Sequence, residues 1–247
     1  MEPKFLRGRK VIFSLISGSH LYGTDGENSD IDERGVVYPK LTELLGLGNF
    51  EQDKPSEGDT LYYNIRKFFK LLIKGNPSCI EWLYAPEYTY MSHEGQLIIN
   101  NRHMFLSRNI GRSLYGYLMG QKEHMAKAHT NLGAKRKSLI SQFGYDTKMA
   151  SHAMRLAVLG CTLFIEGIVK PKVDDDKLKI VIDLKQGKYT YDEAIKLIES
   201  STADFIDAKE ENKADIPTQP DTHAIEAMLI QIMQYYISTH VVLGGTQ

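Results

Sequence analysis

The chain has 247 residues, 42% of them hydrophobic and 25% charged, with a formal net charge of −1. That is the composition of an ordinary globular protein with core enough for one large domain or two small ones. It excludes bulk electrostatic binding of nucleic acid, and no apolar run approaches the ~20 residues that would span a bilayer.

The elements follow in chain order. The opening ten residues contain no apolar signal core, so a cytoplasmic protein is expected. Val11 to Ile16 is an apolar run that reads as a strand and stops at Gly18-Ser19. A short helical turn from His20 to Gly23 follows, then a polar loop that delivers Asp30 and Asp32 into a second apolar run, Gly35 to Tyr38. Strand side chains alternate between faces, so Asp30 and Asp32 are expected on one side and Ile31 on the other. Two carboxylates on one face repel unless a cation lies between them, and a hard divalent cation with oxygen ligands is the natural occupant. Gly18-Ser19, where a strand feeds a helix start, suits phosphate: backbone N–H groups are free there and glycine permits close approach. The competing reading is a β-hairpin with a solvated acidic turn. The ordered combination of strand, Gly-Ser, turn, Asp-x-Asp and strand is far more specific than either half.

Asp59 to Tyr63 reads as a third strand after the loop Gln52 to Gly58. A helix is expected from Asn64 to Lys74, with Ile65, Phe68, Phe69 and Leu72 on one face and Gly75 as its cap. Ser78 to Tyr84 is a short apolar piece, helix or strand, closed by Pro86. After about residue 105 the pattern turns to long helices: Ile110 to His129, Lys135 to Phe143, Asp146 to Gly167, Leu178 to Gln186 with Gly187 as cap, Tyr191 to Glu199, and Thr222 to Thr239 beyond Pro217 and Pro220. In the helix 146–167, Met149, Ala153, Leu156, Gly160 and Leu163 form one stripe, and Lys148, His152 and Arg155 form another. The fold class expected is α+β, a small mixed-sheet domain over 1–105 followed by an all-helical domain over 106–247. Cys79 and Cys161 each lie within an apolar pattern and fit buried thiols better than a disulfide or metal pair. His124 and His129 are five apart, the wrong spacing for a helical zinc pair. Charge is uneven: Gln121 to Arg155 carries seven Lys or Arg against two acids and could face phosphate. Asp174 to Asp215 carries twelve acids against seven lysines and reads as solvated surface.

Gly18-Ser19 followed by Ser29-Asp30-x-Asp32 resembles the nucleotidyltransferase superfamily that includes DNA polymerase β. Nearly the whole chain is similar to the predicted nucleotidyltransferases of bacteria and phages found near RNA ligases. The stretches that carry the likeness are Gly23, Gly35-Val36, Asp59, Lys74-Gly75-Asn76-Pro77 before Glu81, Tyr145-Asp146-x-Lys148, His152-x-x-Arg155, Gly160, Lys185-x-Gly187 and Pro220-Asp221. The resemblance implies metal-dependent transfer of a nucleoside monophosphate from an NTP, with links to RNA repair. In that frame Asp30 and Asp32 would hold Mg²⁺ or Mn²⁺, and Gly18, Ser19 and Ser29 would bind the triphosphate. Asp59 is the expected third acid and Glu81 the runner-up, while Glu33 should face away. Lys148, His152 and Arg155 would contact phosphate of nucleotide or acceptor, the alternative being a solvated stripe. His20 is either a nucleotide contact or an exposed loop residue. An RNA hydroxyl is the first expectation for the acceptor. A protein side chain (AMPylation) and a nucleotide-binding module without turnover are the other readings. No membrane partner is expected.

Overall fold

The structure, a computed structural model, describes residues 2–27, 29–53, 59–126 and 134–241. It is α+β and divides into two compact units. The first comprises Met1–Leu21, Glu27–Leu106 and Gln219–Gln247, the second Tyr22–Gly26 and Ser107–Thr218.

The first unit is built on a mixed sheet. Its strands are β1 (Phe5–Leu6), β2 (Arg9–Ser17), β3 (Asp32–Val37), β4 (Gln52–Asp53), β5 (Asp59–Asn64) and β6 (Tyr90–Met91). The order is β1-β2-β3-β5-β4, with β6 also pairing β2. β2 and β3 are antiparallel, β3 and β5 parallel. The apolar run Val11 to Leu15 is fully buried because β2 is central and covered on both faces. Phe13 packs edge-on against Phe68 at 5.6 Å and Tyr88 at 5.8 Å. Gly35 in β3 has a packing reason: a Cβ there would lie 2.3 Å from the Tyr62 ring, which crosses the strand at that point. The covering helices are α2 (Leu41–Leu44), α3 (Ile65–Ile73), α4 (Pro77–Leu83) and α5 (His93–Asn100), with a 3₁₀ turn at Arg102–Phe105. The expected helix 64–74 is α3, framed by Asn64, whose side chain accepts from Arg66 N, and by Gly75 at φ +73°. The undecided piece 78–84 is helical. Asn76 caps α4 and Pro77 sits in its first turn, where no N–H is needed. The helix Thr222–Val241, read from sequence with the helical region, belongs to this first unit and packs on α3 and the 3₁₀ turn. Its Tyr236 stacks on Tyr38 at 4.1 Å and donates to Pro39 O.

The second unit is helical. It holds α6 (Arg108–Ala126), α7 (Ala134–Phe143), α8 (Thr147–Glu166), α9 (Asp175–Lys185) and α10 (Tyr191–Glu211); the short helix Gly18–Tyr22, whose last residue opens the second unit's first segment, is α1, and the first unit's Thr222–Val241 is α11. His129, the end expected for α6, lies outside the described residues. α8 is the central rod, packed against α6, α9 and α10. Asp146 caps its start, accepting from Lys148 N and Met149 N, and Gly167 at φ +71° ends it. Gly160 lets Phe205 lie against the helix, since a Cβ there would be 2.4 Å from that ring. α10 runs twelve residues past the expected end at Glu199. The poor helix formers Ser200, Ser201 and Thr202 are overridden because Phe205 and Ala208 beyond them are buried.

Candidate active site

In the first unit the pairing register puts Ser17, Asp32 and Asp59 abreast on three neighbouring strands: Ser17 opposes Asp32 in the antiparallel pair and Asp32 neighbours Asp59 in the parallel one. Gly18 follows Ser17 at φ +64°, and a Cβ on it would lie 2.0 Å from Asp32 Oδ2. The Gly-Ser turn therefore fits directly over the Asp32 carboxylate, a position no other residue could take without moving it. Asp30 lies in the loop just before β3, and Ile31 between the acids is exposed.

Arg34, two residues beyond Asp32 on the same strand face, has a role that the sequence reading did not give it. Its Nη2 donates to Asp32 Oδ1 at 3.2 Å and to Asp59 Oδ1 at 2.9 Å, while Nη1 donates to the Asp59 and Glu33 carbonyls. One guanidinium thus spans both carboxylates and offsets their repulsion. The spacing Asp-x-Arg was the available signal, because alternation places i and i+2 together. Glu33, as expected, is used elsewhere: it accepts from Lys4 Nζ at 2.7 Å and Tyr62 Oη at 2.8 Å. Burial raises its pKa, but those two hydrogen bonds outweigh it and hold the carboxyl below the usual range. Glu81, the alternative third acid, is buried at 2% exposure on α4 rather than a surface acid. His20 is exposed and lines a cavity of about 200 Å³ with Ile16, Leu21 and Tyr88.

The donor chemistry of Asp32 and Asp59, hard carboxylate oxygens already sharing one cation, fits Mg²⁺ or Mn²⁺. Among the described residues no group of three or more His, Cys, Asp or Glu is gathered closely enough to hold a metal. The structure unites Asp32 with Asp59; it does not draw Asp30 into a triad with them.

In the second unit, Lys148, His152 and Arg155 share one face of α8 but not one environment. Lys148 is exposed, His152 partly buried, and Arg155 only 2% exposed, so the stripe is not a solvated one. Arg155 stacks over the Tyr22 ring at 3.5 Å and donates from Nη1 to Pro171 O at 3.4 Å. His152 lies 6.5 Å from the same ring. Burial, then the charges of Arg155 and Lys148, push the His152 pKa down to about 3, so the imidazole is neutral at physiological pH. Two further lysines reach the segment Tyr22–Gly26. Lys185 donates to Thr24 O, and the methylenes of Lys172 lie over Gly23, 3.0 Å from where a Cβ would be. Burial lowers the Lys185 pKa and Lys148 lowers it further, against a smaller opposing effect of Asp25. Like charges crowded in this way suit an anion.

A strand-end carboxylate pair beneath a Gly-Ser turn, on a mixed sheet of an α+β chain, is the arrangement of a polymerase β-like protein. The chain belongs to the RNA repair pathway DNA polymerase beta family, whose model matches residues 4–231. The description of that family joins a DNA polymerase β-like protein class to RNA repair. The chain is 26% identical over 146 residues to an uncharacterised 38.9 kDa protein of Enterobacteria phage T4 from the nrdC–mobD intergenic region, covering 53% of this chain and 43% of that protein. It is 31% identical over 81 residues to the uncharacterised protein YcgL of Bacillus subtilis (strain 168), covering 31% of each. It thus spans less than half the length of these curated relatives. No solved structure matches it. No helix among the described residues is long and apolar enough to cross a membrane.

Proposed function

We propose that this chain is a divalent-metal-dependent nucleotidyltransferase that moves a nucleoside monophosphate from an NTP to a hydroxyl of an RNA acceptor. The observation that carries this reading is the row of Ser17, Asp32 and Asp59 with Gly18 closed over the Asp32 carboxylate. Asp32 and Asp59, with Asp30 from the adjoining loop, would hold Mg²⁺ or Mn²⁺, which neutralises triphosphate charge and acidifies an acceptor hydroxyl. Gly18, Ser19 and Ser29 bind the β- and γ-phosphates, Ser19 and Ser29 through their hydroxyls. The acceptor oxygen bonds to the α-phosphorus as the bond to the pyrophosphate oxygen breaks. Arg34 keeps Asp32 and Asp59 at one spacing before the ion arrives. Lys148, neutral His152 and Arg155 engage phosphate of the nucleotide or the acceptor, and Lys185 and Lys172 add charge beside them.

The test is incubation with each α-labelled NTP, Mg²⁺ or Mn²⁺ and total RNA. Label should enter RNA and disappear with Asp32→Asn and with Asp59→Asn. Label in protein instead would replace the RNA acceptor by a side chain, and no transfer to any acceptor would leave only a nucleotide-binding module.

A further inference from the structure

Between α8 and α10 the second unit contains a cavity of about 390 Å³, within the range of small-molecule sites. We propose that it binds a linear polyamine, an aliphatic chain carrying several ammonium groups. This inference does not depend on the nucleotidyl-transfer reading.

The floor is aliphatic: Val158 and Ile165 come from one stripe of α8, and Ala208 faces them from α10. The rim is acidic. Asp204, Asp207 and Glu211 line it from a single face of α10, and among the described residues Lys177 of α9 is the one cation in the lining, which leaves a net negative site. Among the described residues neither Asp204 nor Asp207 forms an ion pair. Glu211 pairs with the exposed Lys213, a surface contact worth little.

A second observation points inward. Ser201 is 6% exposed, lines the cavity, and makes no hydrogen bond among the described residues. A helical serine commonly bonds to the carbonyl one turn back, as its neighbour Thr202 does to Ile198 O at 2.6 Å. The Ser201 oxygen is open to the cavity with no protein donor on it among the described residues, and an ammonium would supply one. Cys161, also in the lining, has its thiol pKa pushed up to about 11 by burial and by Asp204, against the opposing pull of Lys177. It is therefore a neutral packing group and not a nucleophile.

The spacing selects the ligand. Along a helix rising about 1.5 Å per residue, Asp204 to Asp207 is about 4.5 Å and Asp207 to Glu211 about 6 Å. Nitrogens separated by three and by four methylenes are spaced similarly, and the methylenes between them would cover Val158, Ile165 and Ala208. A hydrated metal ion would gain nothing from such a floor, and a single lysine side chain would leave two of the carboxylates unanswered.

The test is calorimetric titration of the full chain with spermidine at physiological ionic strength, against butylamine, Mg²⁺ and a hexalysine peptide. Saturable one-to-one binding of spermidine is expected, weakened about tenfold or more by the double variant Asp204→Asn/Asp207→Asn. Ser201→Ala should weaken it severalfold, and Glu210→Gln, on the same helix outside the cavity, should leave it unchanged. Thermal melts of each variant check that the fold is retained. Absence of saturable spermidine binding, equal loss with Glu210→Gln, or competition by Mg²⁺ at matched charge would overturn the proposal. So would tighter binding of hexalysine, which would make the occupant a basic segment of a protein.

Discussion

Arg34 changes what is expected of the acids it spans. Without it, Asp32 and Asp59 would repel, and Asp32→Asn would leave stability unchanged or slightly raised. With the guanidinium hydrogen-bonded to both, Asp32→Asn removes half of a partly buried ion pair. Arg34→Gln should lower the melting temperature of the metal-free protein by the equivalent of about 1 kcal/mol, and Mg²⁺ should restore part of the loss because another cation takes the same carboxylates. A melting temperature indifferent to both Arg34 and Mg²⁺ would remove Arg34 as their countercharge. Gly18→Ala has two costs: a left-handed backbone, about 1–2 kcal/mol, and a methyl placed on the Asp32 carboxylate. Transfer activity should fall much further than the melting temperature. His152 governs a pH window. Its folded pKa, about 3, lies below the ordinary 6.5, so between these values the unfolded chain binds a proton that the folded chain refuses. Stability therefore rises with pH through that window and is lost on acidification below 6.5, at most about 2 kcal/mol by pH 5. His152→Gln should flatten that part of a denaturation curve measured against pH, unless bound phosphate has already restored the proton.

At the scale of the element, α8 sets the second unit. Its start depends on Asp146, buried at 1% exposure and accepting from two backbone N–H groups. Asp146→Ala should cost about 1 kcal/mol. Its middle depends on Gly160, where a methyl would strike the Phe205 ring. Gly160→Ala should cost about 1–3 kcal/mol through overpacking, and a smaller residue at 205 should recover part of it, a coupling that a double-mutant cycle measures. The same contact explains why α10 continues past Glu199. Propensity alone stops at the Ser-Ser-Thr run, whereas burial of Phe205 and Ala208 carries the helix on to Glu211. The acidic run 174–215, read from sequence as solvated surface, includes the acids along the α8–α10 cavity. Which face of α10 meets α8 is not written in local periodicity.

For the whole molecule, a net charge of −1 means that the RNA acceptor proposed above would have to be held by a local group of cations. A salt titration should give a slope of about four phosphate contacts or fewer, and Lys148→Ala with Lys185→Ala should reduce it. A steeper slope would put the RNA on a wider surface than the lysines near Tyr22–Gly26. The sequence by itself determined the strand, Gly-Ser, Asp-x-Asp and strand order, the capping glycines Gly75 and Gly187, and the α+β class. These are local signals: side-chain alternation, helical period, and the few residue types that satisfy free backbone groups or accept positive φ. That Asp59 stands beside Asp32 was expected from the family resemblance and from no local pattern, because the parallel pairing joins residues 27 apart through a register that tertiary structure sets. Tertiary structure alone decided that Arg155 is buried on Tyr22 rather than solvated. It also decided that α11 packs on the first unit and not with the helices that precede it, because an apolar face records the need for a partner but not which partner meets it.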